Sequence, residues 1–296
     1  MAISASLVKE LRERTGAGMM ECKRALQETD GDIEAAIEAM RKSGQAKAAK
    51  KAGRIAADGV VELCVAEGGS RGAMVEINSE TDFVAKDENF RGFAEAVGQT
   101  VLASDAADVA ALAEQPLAGA GDATVNAARE ALIAKVGENV QLRRVVRFDA
   151  PEGVLHSYRH GVRIGVIVDL VGGDETLGRD IAMQVAATNP MCISADDLPA
   201  EALEKEREIF RAQALESGKP PEIVDKMIGG RMRKFAEEVT LLGQAFVKDP
   251  SMKVEQLLKQ AGARVAAFAR FEVGEGIEKR ADNFAEEVQA QAKQAE

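Results

Sequence analysis

Over residues 1–54 the apolar positions recur at helical spacing and never alternate. Ile3, Leu7, Val8 and Leu11 make one stripe, Met19, Cys22 and Leu26 a second, and Ile33, Ala36, Ile37 and Met40 a third. Thr15-Gly16-Ala17-Gly18 and Thr29-Asp30-Gly31 separate them, as helix-stopping residues should. The pattern predicts a compact bundle of three short helices, a frequent interaction module. Ala46 to Arg54 follows, basic and rich in alanine. A nucleic-acid patch would want aromatic side chains for base stacking. None is near, so this stretch reads as a solvated helical linker.

From residue 55 the pattern changes and then repeats. The first copy runs Gly59–Leu63, then Arg71–Ile77, then a loop, then a helix over Phe90 to Val101. The second runs Gly153–Tyr158, then Arg163–Leu170, then Gly172-Gly173-Asp174-Glu175, then a helix over Leu177 to Ala187. Each copy ends in a similar strand, Gln141–Phe148 in one and Arg264–Phe271 in the other. The core therefore reads as two related α+β subdomains with antiparallel sheets, each with helices burying the apolar side of its sheet. In the first copy Val109–Ala113 and Asp122–Val136 supply further helices, and the alanine-rich stretch from Leu102 to Ala120 reads as loosely packed.

The second copy carries an insertion. Pro199–Glu216 is a charged helix with Leu203, Ile209, Phe210 and Leu215 as apolar positions. Ser217-Gly218-Lys219-Pro220-Pro221 is a sharp turn, and Ile223, Val224, Met227, Ile228 and Phe235 line a second helix. This helical hairpin, residues 199–237, is open to two readings, a strut or an arm for docking or dimerisation. The tail from Gly274 turns at Gly276 and places Phe284 and Val288 on a polar helix, either frayed or docked on a partner.

Composition narrows the function. The 296 residues carry a formal charge of −11, which argues against a protein that grips phosphate backbones directly. The three cysteines, Cys22, Cys64 and Cys192, are far apart and form no C-x-x-C, so neither a disulfide framework nor a zinc site is expected. No apolar run reaches membrane-spanning length and no leader opens the chain, so the expected location is cytoplasmic. His156 and His160 lie in the second hairpin with no third ligand near and read as surface residues. A G-x-x-x-x-G-K-[S/T] loop is absent, so the chain is not itself a P-loop enzyme.

The informative stretch is the junction after the second strand of the first copy, Glu76 to Asp87. Ala73, Val75 and Ile77 share one face of that strand and Met74, Glu76 and Asn78 the other. The alternation stops at Ser79, and helical spacing resumes near Asp87. Structurally, Asp82 or Asp87 would be an N-cap, and Phe83, seven residues before Phe90, the first rung of the buried stripe. Functionally, Thr81 to Val84 are a loop held at a strand end by a rigid scaffold. The second copy makes the same turn with Gly172-Gly173-Asp174-Glu175 and no aromatic, so the fold does not demand a phenylalanine at 83. A second functional class is an enzyme using Glu76, Glu80, Asp82 and Asp87 around a divalent ion.

The string Glu76-Ile77-Asn78-Ser79-Glu80-Thr81-Asp82-Phe83-Val84-Ala85-Lys86 closely resembles the signature of the bacterial elongation factor Ts family. A second match, Leu11 to Leu26, lies upstream, and the likeness runs on to Phe271-Glu272-Val273-Gly274-Glu275-Gly276. The resemblance implies an α+β fold that opens with a ubiquitin-associated-like three-helix bundle (1–54). Two core subdomains follow (55–149 and 150–276, the second with the hairpin), then a C-terminal helical module (277–296). It implies a guanine-nucleotide exchange factor for GDP-bound elongation factor Tu, with no cofactor, bound metal or covalent chemistry of its own. The family's Mg²⁺-displacing loop falls on Thr81, Asp82, Phe83 and Val84. Met19, Met20 and Lys23, at the first break of the bundle, would dock on the GTPase, where methionine's adaptability suits a contact surface. A homodimer through the hairpin is a further expectation; direct nucleic-acid or membrane binding is not. Ser79-Glu80 stands where some relatives have Cys-Gln, and Gln184 where some have His, which leaves the contacts around residue 184 open.

Overall fold

The computed structural model describes residues 3–215 and 220–278. Three helices, α1 (Ala5–Thr15), α2 (Met19–Glu28) and α3 (Ile33–Lys51), form the N-terminal bundle. Ser4 caps α1 by accepting the Leu7 amide, Gly16 ends it with φ +65°, and Asp32 caps α3 through the Ala35 amide. Val8, Leu11, Cys22, Ala25, Leu26 and Ala36 fill the small core. Met19 is not among them: the stripe of α2 consists of Cys22, Ala25 and Leu26.

The expected solvated linker is the second half of α3. Gly44 and Ala48 are buried, with Gly44 against Ala134 of a later helix, so small side chains let two helices approach closely. The opposite side faces water, with Ala46, Ala49 and Lys50 exposed and Lys47 and Lys51 half-buried.

Next come β1 (Asp58–Val65), β2 (Arg71–Ser79), the short α4 (Asp82–Lys86), α5 (Glu88–Ala103), α6 (Val109–Ala113), α7 (Val125–Val136) and β3 (Val140–Asp149). The second copy follows as β4 (Val154–His160), β5 (Ile164–Val171) and α8 (Glu175–Thr188). After it come the hairpin α9 (Ala200–Leu215) and α10 (Pro221–Val239), the small ribbon β6 (Ala245–Phe246) and β7 (Asp249–Lys253), then α11 (Val254–Gln260) and β8 (Arg264–Glu272). Each copy forms a three-stranded antiparallel sheet with the returning strand beside the hairpin's second strand, β1-β2-β3 and β4-β5-β8. The repeat extends to its irregularities, since both sheets carry a register shift, after Glu76 in β2 and after Asp169 in β5.

Two sequence expectations need correction. The stretch from Leu102 to Ala120 is not loose: Ala106, Leu112 and Leu117 are buried in the first subdomain's core. The sheets are also covered on both faces. Ala73, Val75 and Ile77 face the helices, while Met74 joins Val61, Leu155 and Ile167 in a second apolar layer between the two sheets. Both faces of β2 are buried from Gly72 to Ser79. The molecule is thus layered helix–sheet–sheet–helix, and apolar area is removed from water on both sides of each sheet.

Gly165 shows how closely the sheets meet. A Cβ there would stand 2.5 Å from Val61 Cγ1 and 3.2 Å from Met74 Sδ. Gly165→Ala is expected to cost about 1–3 kcal/mol through overpacking, read as a lower urea midpoint at unchanged slope. An unchanged midpoint would show that the layer has slack.

In the hairpin, Ala214, Val224 and Ile228 pack with Met232, a narrow seam, whereas Ile209 and Ile223 are exposed. Glu216, the last residue of the first expected hairpin helix, Ser217, Gly218 and Lys219 of the expected turn, and the expected tail helix with Phe284 and Val288 lie outside the described residues. Among the described residues no helix is long and apolar enough to cross a membrane.

Candidate functional site

The first copy leaves its second strand differently from the second. In the second, Gly172 and Gly173 take φ +76° and +74°, and Asp174 caps α8 by accepting the Leu177 amide at 2.8 Å. In the first, Asp87 plays that part for α5, accepting the Asn89 and Phe90 amides at 2.9 and 3.3 Å. The Asn89 side chain and these amides hold the Asp87 carboxyl below its usual range, although burial opposes them. Between strand and cap the first copy carries the extra turn α4. Its N-cap is Thr81, not Asp82: Thr81 Oγ1 accepts the Val84 amide at 3.4 Å.

α4 has one buried side chain, Ala85, with Val84 packed partly against the core. Phe83 points the other way and is 80 % exposed. The reading of Phe83 as a core rung is therefore overturned. Its seven-residue spacing to Phe90 would align the rings only on one continuous helix, and Asp87 breaks the helix with ψ +137°. Asp82 pairs with Lys86 at 2.6 Å, and the Lys86 ammonium lies 6.0 Å from the Phe83 ring centroid.

On the bundle, Met19 and Met20 are 60 % and 76 % exposed, and Lys23 is exposed one turn on. The structure thus leaves both predicted apolar contacts in water, although such side chains are more often placed inside.

The carboxylate cluster of the enzyme reading does not form. Glu76 is wholly buried between Arg143 and Arg144 and accepts the Asn78 side chain and the Gly274 amide as well. Burial alone would raise its carboxyl; the Gly274 amide, the two guanidiniums and Asn78 outweigh it and hold the group below its usual range. Glu80 accepts the Asn139 amide, Asp82 pairs with Lys86, and Asp87 caps α5. Among the described residues no group of three or more histidine, cysteine or acidic side chains could hold a metal ion. His160 is exposed beside Tyr158, but His156 is half-buried against Gly178, and burial lowers its pKa despite Glu175 and Asp174. Gln184 is a buried hub: its amide nitrogen donates to Gln244 Oε1 and the Ala245 carbonyl, and its Oε1 accepts the Val247 amide.

Sequence reasoning missed Glu138 and Asn139, which brace the base of α4. Only their position between α7 and the closing strand could have hinted at it, because the contact spans 57 residues of chain.

Comparison with known proteins fits this arrangement. A family model described as Elongation factor TS matches residues 80–275. The elongation factor Ts of Thioalkalivibrio sulfidiphilus is 61 % identical over 296 residues, covering all of both chains. That of Alkalilimnicola ehrlichii is 58 % identical over 99 % of each chain, and that of Legionella pneumophila, strain Philadelphia 1, is 58 % identical over 98 % of this chain and 99 % of its own.

Proposed function

The chain belongs to the elongation factor Ts family, and from that premise we propose that its α4 turn is the element that opens the nucleotide site of its partner. The protein is a translation elongation factor that acts as guanine-nucleotide exchange factor for elongation factor Tu. The finer reading assigns parts to residues. A GTPase holds GDP through its phosphate loop and through Mg²⁺ bridging phosphate and protein oxygens. An exchange factor must bind the nucleotide-free partner better than the GDP-bound one, and by linkage GDP then binds the complex more weakly by the same factor. The factor is released unchanged when GTP rebinds, so no covalent chemistry of its own is required.

The observation that carries the assignment is the exposed Phe83 ring on a turn braced from below. Phe83 is the wedge, entering between elements of the GTPase beside its nucleotide. Asp82, one residue before it, disturbs the groups that position Mg²⁺. Thr81 and Val84 hold the turn, one as cap and the other by packing. Met19, Met20 and Lys23 supply a separate docking patch on α2, so the wedge acts with leverage. The reaction sits with translation in the cytoplasm.

The test is release of a fluorescent GDP analogue from elongation factor Tu, followed over a range of Mg²⁺. Wild type should accelerate release strongly. Asp82→Ala should lose roughly tenfold at millimolar Mg²⁺, about one charge-assisted contact, and should recover when the ion is chelated. Equal loss with and without Mg²⁺ would take the ion out of Asp82's role. No acceleration by wild type would defeat the exchange reading of this chain.

A secondary reading concerns the hairpin. Ile209 and Ile223 are exposed on it, which favours contact with a second copy through α9 and α10. Sedimentation of wild type against Ile223→Glu decides it: a dimer that the charge dissociates supports the contact, and a wild-type monomer rejects it.

A further inference from the structure

The α4 turn cannot hold its own direction. A helix of five residues is far shorter than the roughly 12–15 residues at which an isolated helix becomes even marginal in water. Its apolar anchor is small, the methyl group of Ala85 and part of Val84. What holds it is a clasp of carboxylates. Glu138 Oε2 accepts the Thr81 amide at 3.0 Å, and Glu138 Oε1 accepts the Thr81 hydroxyl at 2.7 Å. In the opposite direction, Glu80 Oε1 accepts the Asn139 amide at 2.6 Å and stands 3.5 Å from Arg54 Nη1. Residues 80–81 and 138–139 are thus bound both ways.

We propose that Glu138 is a positioning residue for nucleotide exchange, fixing Thr81 as the cap of α4 and so the direction in which Phe83 stands. The chemistry of the hydroxyl supports this. Thr81 Oγ1 has one hydrogen, and donating it to Glu138 turns a lone pair toward the Val84 amide, whose bond closes the turn. Asp82 and Phe83 are the two residues that this cap-to-amide bond encloses. The same segment is tied to the end of the bundle's long helix and the residues just after it: Lys51 donates to the Gly137 carbonyl, and Asn139 Nδ2 donates to the Arg54 carbonyl at 2.8 Å. The clasp therefore also joins the wedge to α3, which leads to the docking patch on α2.

This inference rests on the reading of Phe83 as the wedge, so its test is a double-mutant cycle on the full-length chain. Wild type, Glu138→Ala, Phe83→Ala and the double variant are compared for maximal release of a fluorescent GDP analogue from elongation factor Tu and for the concentration of factor giving half that rate. Glu138→Ala is expected to lower the maximal rate roughly tenfold, the equivalent of about one charge-assisted hydrogen bond, while the half-saturating concentration moves less than about twofold. In the Phe83→Ala background the same change should cost nothing further, because there is no ring left to aim. Glu138→Gln, which keeps the shape but can accept only one of the two Thr81 bonds, should fall between wild type and Glu138→Ala and serves if the alanine variant folds poorly. Additive losses in the cycle, or a loss confined to the half-saturating concentration, would overturn the positioning role. A Phe83→Ala variant as fast as wild type would instead remove the wedge reading beneath it.

Discussion

Phe83→Ala is expected to slow maximal GDP release by roughly 30- to 100-fold, the loss of a contact hot spot of about 2–3 kcal/mol, while leaving the free protein's stability within about 0.5 kcal/mol of wild type. The two halves of this expectation have one cause. The ring is 80 % exposed in the free chain, so it contributes little to folding, and its apolar area is available for burial in the complex. A core phenylalanine behaves oppositely: Phe90, wholly buried in α5, should cost about 3–5 kcal/mol on truncation to alanine. Stopped-flow exchange and thermal unfolding on the two variants separate the cases. If Phe83→Ala exchanges normally, the driving contacts lie on α2 or the second subdomain instead. If it unfolds well below wild type, the ring is a structural part of the turn.

The second large effect concerns Glu76. Glu76→Ala is expected to cost about 3 kcal/mol, since it removes the acceptor from a buried ion pair, and to lower the melting temperature by roughly 5–10 °C. The figure sits at the low end for a buried pair because Arg143 and Arg144 are partly exposed and regain water. The Asn78 side chain and the Gly274 amide lose the same acceptor. Glu76 joins β2 to β3 and to the turn after β8, so the loss should loosen both the first sheet and its seam with the second. The pH dependence follows from the sign of its shift. The carboxyl is held lower in the folded chain than its unfolded value of about 4.3. Its stabilisation is therefore complete above that pH and drains away as the pH falls through the folded value. The gap between wild type and Glu76→Gln should stay constant from about pH 6 to 8 and close in stronger acid. A gap unchanged into acid would mean that the charge is not what binds the arginines.

Glu76 and Asp169 also show a limit of the internal repeat. Both precede the register shift of their sheets. In the first copy the residue skipped on the facing strand is Arg143, which meets the acid; in the second it is Ala266, and Asp169 keeps one oxygen without a hydrogen-bond partner. Burial accordingly pushes the Asp169 carboxyl up while Glu76 is held down. Two copies of one framework thus place acids alike and satisfy them differently.

Much of the fold was legible from periodicity alone. The three N-terminal helices, the two hairpins, α5 and α8, and the closing strands all lie within a few residues of where spacing and turn residues put them. These are local properties: a period of two or of about 3.6 is written into neighbouring residues, and glycine, proline and capping side chains mark the ends. The Thr81–Val84 motif was legible as a string, and its absence from the second copy already separated it from the needs of the fold. Tertiary structure alone decided the rest. An apolar face announces that something covers it without naming the cover, so the meeting of the two sheets at Met74 and Ile167, and the packing of α3 on α7, could not be read from the stripes. Helical spacing made Phe83 a candidate rung and Met19 a candidate core residue; the break at Asp87 and the end of the bundle core at Cys22 left both in water. The arginines and the Gly274 amide that meet Glu76, and the Glu138 carboxylate that meets Thr81, come from segments 57 to 198 residues away, brought near by chain reversal. A pattern in neighbouring residues carries no information about such distances.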